Sequence, residues 1–399
     1  MARATRSARR VSRVLVITRN LPPLIGGMES LVWRLVEGLS AAYETRVIGP
    51  RGATGHKPSG CEVREVPHRP LIIFFLRALG AAIRSAVGWR PDAVVAGSGL
   101  TAPFAWIVGR LTGARVSVYV HGLDLTVASR VYQALWLPFI RRADAVIANS
   151  RSTAGLARER GIAPGRIRII HPGTCLPALT DREAAAQRFR ARYGLGPGRL
   201  LLYVGRITEG KGLVPFIEAV LPRVVARCPD ATLVVLGGLP RDSLVVREGA
   251  LRGRLDAALA HEGIGDHVRM LGFHRADDPA IGQAYCAADV HVFPVREMSG
   301  NDEGFGMVAL EAAAYNTPTV AYAVGGVTDA VAHGVSGYLV HPGDEAALSD
   351  RIIDVLDGGG QRLAPRSFAE TLSWERFGRA VRAAVTGGEE TGDGSLEGS

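Results

Sequence analysis

The stretch Arg13-Val-Leu-Val-Ile-Thr18, followed by Arg19-Asn-Leu-Pro-Pro-Leu-Ile-Gly-Gly27 and Met28-Glu-Ser-Leu-Val-Trp-Arg-Leu-Val-Glu-Gly-Leu39, reads as a strand, a turn and a helix. The alternation continues outward from there. Strand-like runs follow at Thr45–Ile48, Asp92–Ala96, Val116–Val120, Asp144–Ala148 and Ile167–Ile170. Helical patterns lie between them at Leu71–Val87, Thr101–Leu111, Val131–Arg141 and Ser152–Arg160. Strand, helix, strand in regular order predicts βαβ units and a parallel sheet.

The pattern pauses over His171–Gly198, a Pro- and Gly-containing stretch around one polar helix, Asp181–Tyr193. A second series then begins, with strands at Leu200–Val204, Thr232–Leu236, Val268–Leu271, Val290–Phe293, Thr319–Tyr322 and Tyr338–Val340. Its helices fit at Val214–Ala226, Ala250–Glu262, Ile281–Ala287, Phe305–Tyr315 and Glu345–Leu356. The chain therefore reads as two doubly wound α/β domains, 1–172 and 173–372. A helix over 373–386 packs back toward the first domain, and the acidic, apolar-poor tail 387–399 is expected to be disordered. Ligands of such folds sit at the carboxyl ends of the strands.

The 399 residues are 47% hydrophobic and 21% charged, which suits a folded two-domain protein. The formal net charge of +9 favours phosphate-bearing ligands or anionic surfaces. Cys61, Cys175, Cys228 and Cys286 are far apart, which argues against a zinc site or a disulfide framework and fits a reducing compartment. The basic N-terminus precedes too short an apolar run for a signal peptide, and no run of about 18 apolar residues predicts a membrane span.

Four segments carry candidate chemistry. Glu303-Gly-Phe-Gly-Met-Val-Ala-Leu-Glu311 places two carboxylates about a turn that opens a helix, whose first amides form an anion site. Phosphates would take the amides and sugar hydroxyls the carboxylates; read alone, the segment is equally an ordinary acidic helix start. Val204-Gly205-Arg206, then Lys211-Gly212, offers two cations able to hold a diphosphate, or simply two surface cations. Gly26-Gly27 after the first strand permits close backbone approach, or is a plain turn. His121, in Tyr119-Val-His-Gly-Leu-Asp124, lies at a strand's carboxyl end, where a lone His is a ligand group or a core residue.

Together these segments, with Asn149-Ser150 and Pro23-Leu-Ile-Gly-Gly-Met-Glu29, resemble glycosyltransferase family 4 over about Val14 to Val385. The long acidic loop before Glu303 is similar to that of the branch with bacterial phosphatidylinositol mannosyltransferases. The resemblance implies the GT-B fold, two Rossmann-like domains facing each other across a donor/acceptor cleft, and a retaining hexosyltransferase. It implies that Arg206 and Lys211 bind the donor diphosphate, that Glu311 binds the ribose, and that Glu303 contacts the transferred sugar. Gly205, Gly304, Phe305, Gly306, Met307 and Val308 complete the donor site, Gly26 and Gly27 form a loop near the phosphates, and His121 hydrogen-bonds the donor sugar. Asn316 stands where the family has Gly after the helix; Asn tolerates the left-handed conformation of a helix end.

No metal or other cofactor is expected, because the cations can stabilise the leaving diphosphate directly. Asp277-Asp278 before Pro279 reads as a helix start rather than a spaced Asp-x-Asp metal motif. The donor is a nucleotide-sugar, first GDP-mannose, with a UDP-sugar as the alternative. The acceptor is a hydroxyl on a glycolipid, lipid-linked or polysaccharide molecule, or alternatively a soluble or natural product. Leu71–Arg90, with Arg77 and Arg84 on a face opposite a broad apolar one, reads either as an interfacial helix or as a core helix. The protein is expected in the cytoplasm, and the first reading adds a peripheral place at the inner membrane face. A basic nucleic-acid-binding protein is the alternative of another class, but no helix-turn-helix, RNA-binding aromatic motif or zinc spacing supports it.

Overall fold

The computed structural model describes residues 11–127, 129–239, 247–261, 263–275, 277–298, 303–358 and 362–388. The chain divides into two units, 1–172 with 374–399, and 173–373. The first unit holds β1 (Arg13–Ile17), β2 (Glu44–Pro50), β3 (Cys61–Val66), β4 (Ala93–Ala96), β5 (Arg115–Val120), β6 (Ala145–Ala148) and β7 (Ile167–Ile169). They form a parallel sheet in the order β3-β2-β1-β4-β5-β6-β7. The second holds β8 (Leu200–Val204), β9 (Thr232–Leu236), β10 (Val268–Gly272), β11 (Val290–Phe293), β12 (Thr319–Tyr322) and β13 (Gly337–Val340). Its order is β10-β9-β8-β11-β12-β13, again all parallel.

The unbroken apolar runs follow from this architecture. A strand covered by helices on both faces has no side to leave polar. In β1, Leu15 and Ile17 enter the core that holds Phe74, Ala78 and Val108, while Val14 and Val16 enter the opposite one with Leu35, Tyr119 and Phe377. The Gly27–Ser40 helix fills that second core with Leu31, Val32, Leu35, Val36 and Leu39, spaced as one helical face. The second unit repeats the scheme, with Leu201 and Tyr203 of β8 on one side and Leu200 and Leu202 on the other.

The Trp374–Thr386 helix lies in the first unit, burying Phe377, Val381, Ala384 and Val385 against the Gly27–Ser40 helix. Two glycines set that contact: a Cβ on Gly38 would lie 2.8 Å from the Gly378 Cα. The tail from residue 389 on, the N-terminal residues 1–10 and residues 299–302 of the acidic loop lie outside the described residues.

Four elements differ from the sequence reading. β3 is an edge strand, paired only with β2 in the sheet order, and its Cys-Glu-Val-Arg-Glu-Val sequence lacks an apolar run because one side of the strand stays open. The helix expected over Val131–Arg141 is two, Arg130–Leu135 and Leu137–Arg141, broken at Trp136 before Pro138. The helix expected over Val214–Ala226 widens into a π-turn at Phe216–Val220, where Pro222 removes one backbone donor.

The fourth correction concerns the membrane. Leu71–Gly88 is one helix, long and apolar enough to cross a membrane by length and composition, because its two arginines are too few to break the average. It is nonetheless a helix of this domain: Phe74, Ala78, Ala81, Ala82 and Ala86 are buried in the core shared with β1 and β4. Arg77 and Arg84 do not lie opposite the exposed apolar residues; both are exposed on the same outward side as Ile72, Leu76, Ile83 and Val87.

Candidate active site

In the second sheet the chain runs from β8 out through β9 and β10, then returns to start β11 on the other side of β8. The loops leaving β8 and β11 therefore diverge at a topological switch point, where doubly wound sheets bind ligands. Arg206 leaves β8 through Gly205, whose φ of 148° suits only glycine. The buried Tyr203 fixes the turn, its hydroxyl donating to the Arg206 carbonyl at 2.9 Å. The Arg206 side chain is exposed. Lys211 ends a short turn, Glu209–Lys211, and is followed by Gly212 at φ +71°. A side chain on Gly212 would stand on the Pro294 carbonyl, and the Arg296 N–H donates to the Gly210 carbonyl at 2.9 Å. The loops after β8 and β11 are thus tied together.

Glu303 arrives on the second of these loops and forms an ion pair with Lys211. The Lys211 ammonium also lies 5.2 Å from the centre of the Phe293 ring. Behind the pair, the Gly326 N–H donates to the Glu303 carbonyl at 2.8 Å. Gly304 and the buried Phe305 lead to Gly306, whose φ of +98° turns the chain into the Met307–Ala314 helix. Met307 and Val308 form its first turn, so the positive end of the helix dipole lies beside the pair.

Glu311 is on the next turn of this helix. Burial pushes its carboxyl up to about 7, and a hydrogen bond from Tyr285 opposes that rise. The Tyr285 hydroxyl lies 3.3 Å from Glu311 Oε2 and 3.2 Å from the Val308 carbonyl. The structure therefore pairs Lys211 with Glu303 directly, and joins Glu311 to them through one helix start.

The first unit carries the remaining candidates. Gly26 precedes and Gly27 opens the Gly27–Ser40 helix at the carboxyl end of β1. Gly26 is extended, at φ 164°, and its place is kept small by Glu29, which folds back to accept from Asn20 Nδ2 at 2.8 Å. His121 follows β5 and is buried, its Nε2 2.9 Å from the Gly97 carbonyl. A carbonyl only accepts, so Nε2 carries a proton and donates it, while Nδ1 has no partner among the described residues. The Asp124 carboxylate accepts the His121 backbone N–H at 3.1 Å, and burial raises its pKa against the pull of His121. Asn149, after β6, also leaves its buried Oδ1 without a partner among the described residues.

Two smaller readings resolve cleanly. Asn316 adopts φ 59°, the left-handed conformation expected after the helix. Asp278 caps the Pro279–Ala287 helix, accepting from Ala280 N at 2.9 Å. Among the described residues no three His, Cys, Asp or Glu side chains cluster as metal ligands. Sequence reasoning missed Tyr285 and Phe293: each sits in an apolar run where an aromatic reads as core, and only their partners mark them as part of the site.

Two doubly wound parallel sheets, one carrying a cation–carboxylate site at its switch point, are the architecture of the GT-B glycosyltransferases. The Anabaena protein Alr3699/HepE in complex with UDP-glucose shares this fold, with a TM-score of 0.74 at 19% identity, over 94% of this chain and 99% of that one. The family model Glycosyltransferase Family 4 matches residues 25–176, and the family model Glycosyl transferases group 1 matches residues 198–358. The chain thus carries a glycosyltransferase family 4 domain followed by a glycosyl transferases group 1 domain. The D-inositol 3-phosphate glycosyltransferase of Salinispora tropica is 37% identical over 251 residues, 59% of this chain and 49% of that relative. That of Mycolicibacterium gilvum is 34% identical over 253 residues, 62% and 52%. The chain spans about half the length of these curated relatives.

Proposed function

We propose that this chain is a retaining hexosyltransferase that moves a sugar from a nucleotide-sugar to a hydroxyl acceptor without a metal ion. The observation that carries the reading is the Lys211–Glu303 pair beside the first turn of the Met307–Ala314 helix, with Arg206 on the loop that also carries Lys211. Arg206, Lys211 and the helix amides neutralise the leaving diphosphate, the role a metal plays elsewhere. Glu311 holds the ribose and Glu303 a hydroxyl of the transferred sugar. The bond from the anomeric carbon to the phosphate oxygen breaks with its electron pair going to the diphosphate. The acceptor oxygen attacks from the same face and gives its proton to that leaving phosphate.

GDP-mannose is the first donor reading, from the resemblance to the mannosyltransferase branch. A UDP-sugar is the second, favoured by the UDP-glucose in the HepE structure. For the acceptor we propose a glycolipid or lipid-linked glycan at the inner membrane face. The relatives' name adds an inositol phosphate as a second acceptor class. The outward stripe of the Leu71–Gly88 helix supports the membrane reading: Ile72, Leu76 and Val87 are 63%, 65% and 73% exposed, with Arg77 and Arg84 alongside. Val131 and Leu135 are exposed on the Arg130–Leu135 helix of the same unit. An apolar stripe flanked by cations suits an anionic lipid surface.

A thermal-shift series with GDP, UDP and ADP and their common sugars tests the donor. The cognate nucleotide at 100 times its Kd stabilises the chain by about 2.7 kcal/mol. Equal, negligible shifts with all of them would remove the basis of the reading.

A further inference from the structure

Tyr285 belongs to the Pro279–Ala287 helix, away from every motif read in the sequence, yet its hydroxyl meets the Glu311 carboxylate at 3.3 Å. The ring cannot drift. It is 1% exposed, stacked on Tyr315 with centroids 5.5 Å apart and planes 21° apart, and set edge-on to His291 at 6.0 Å. The hydroxyl has one proton and two acceptors in reach, Glu311 Oε2 and the Val308 carbonyl at 3.2 Å. Donated to Glu311, that proton aligns the carboxylate; turned to Val308, it leaves the carboxylate unheld.

We propose that Tyr285 is a positioning residue for nucleotide binding, holding the Glu311 carboxylate in the form and direction that accepts the hydroxyls of the donor's ribose. The proposal rests on the ribose reading of Glu311 given above. A carboxylate accepts two vicinal hydroxyls only when it carries no proton, so whatever keeps Glu311 ionised also keeps the site ready. Burial works against ionisation here, and the Tyr285 hydrogen bond works for it. The titratable groups packed around the carboxyl are Tyr285 from the neighbouring helix and Tyr315 from the end of its own, with His291 of β11 behind Tyr285. Burial raises both tyrosines and lowers His291 to about 3, so all three are uncharged across the neutral range. Of these four groups, Glu311 alone titrates there.

The test is calorimetry of GDP and UDP binding to the full chain from pH 6 to 8.5, with inorganic pyrophosphate alongside to correct for titration of the ligand's own phosphates. Tyr285→Phe keeps the packed ring and removes only the hydroxyl. Wild-type affinity for the better nucleotide should fall as pH drops through about 7. In Tyr285→Phe the fall should begin at higher pH, with roughly a three- to tenfold weaker affinity at pH 7, the worth of one ordinary hydrogen bond, as suits the 3.3 Å separation. Pyrophosphate should bind both proteins alike. Glu311→Gln separates the two claims. If it weakens nucleotide binding while wild type and Tyr285→Phe give superimposable profiles, the role of Tyr285 is overturned. If it leaves nucleotide affinity intact, the ribose reading beneath it falls. Equal losses of nucleotide and pyrophosphate in Tyr285→Phe would mean a damaged domain, and would also overturn the positioning role.

Discussion

Glu311 titrates near 7 in the folded chain, against 4.5 for a carboxyl in water, because its enclosure penalises the charged form. The sign of its effect on stability follows. The folded state binds the proton more tightly than the unfolded state, so stability falls as pH rises from about 4.5 through about 7. Glu311→Gln, which is neutral at every pH, should therefore raise the melting temperature of the ligand-free chain by several degrees at pH 8. The gain should shrink toward nothing at pH 5; calorimetric scans at the two pH values check it. Glu303 is a different case, since it forms an ion pair with Lys211. Glu303→Gln should bind nucleoside diphosphate at least as tightly as wild type, since Lys211 is freed for phosphate, yet turn over donor at least tenfold more slowly, as steady-state kinetics would show. The sequence marks Arg206, Lys211, Glu303 and Glu311 as candidates because charged residues on the loops after strands and in the helix that follows stand out from their apolar surroundings. Tyr285 was not, since nothing in Ala-Ile-Gly-Gln-Ala-Tyr-Cys-Ala distinguishes a tyrosine buried for packing from one buried to donate a hydrogen bond.

Glycines set the elements that carry these residues. Gly212 has φ +71° and no space for a side chain against the Pro294 carbonyl. Gly212→Ala should cost about 2–3 kcal/mol in urea unfolding and weaken nucleotide binding with it, because it separates the loops that present Lys211 and Glu303. Gly155, in the Arg151–Glu159 helix, lacks a positive φ, and no atom of the described residues lies within 4 Å of the place a methyl group would take. Gly155→Ala should instead stabilise by about 0.5–1 kcal/mol. At the Gly38–Gly378 crossing, Gly38→Leu should push the Trp374–Thr386 helix off the Gly27–Ser40 helix and cost about 1–3 kcal/mol by overpacking. The buried central strands were readable from their apolar runs, because both faces are covered. β3 was not, because an edge strand with one open side needs no such run, and Pro222 shows how one residue alters a helix that its apolar pattern alone describes as regular.

At the scale of the molecule, the net charge of +9 and the cation-flanked stripe of the Leu71–Gly88 helix make one further prediction. The chain should sediment with vesicles containing anionic lipid at low salt, release them as salt rises, and ignore zwitterionic vesicles. Arg77→Glu with Arg84→Glu should abolish that binding and leave donor hydrolysis intact, since both side chains are exposed while the helix is anchored by Phe74 and its alanines. No binding to anionic vesicles at low salt would favour a soluble acceptor. The claim on which everything else depends is glycosyl transfer driven by protein cations. It is tested most directly by following nucleoside diphosphate release from GDP-mannose and from UDP-sugars in the presence of a chelator. The account predicts release from one of these donors that is unchanged by the chelator and reduced at least a hundredfold in Lys211→Ala. Release that stops in chelator and returns with magnesium or manganese, or that survives Lys211→Ala undiminished, would contradict it.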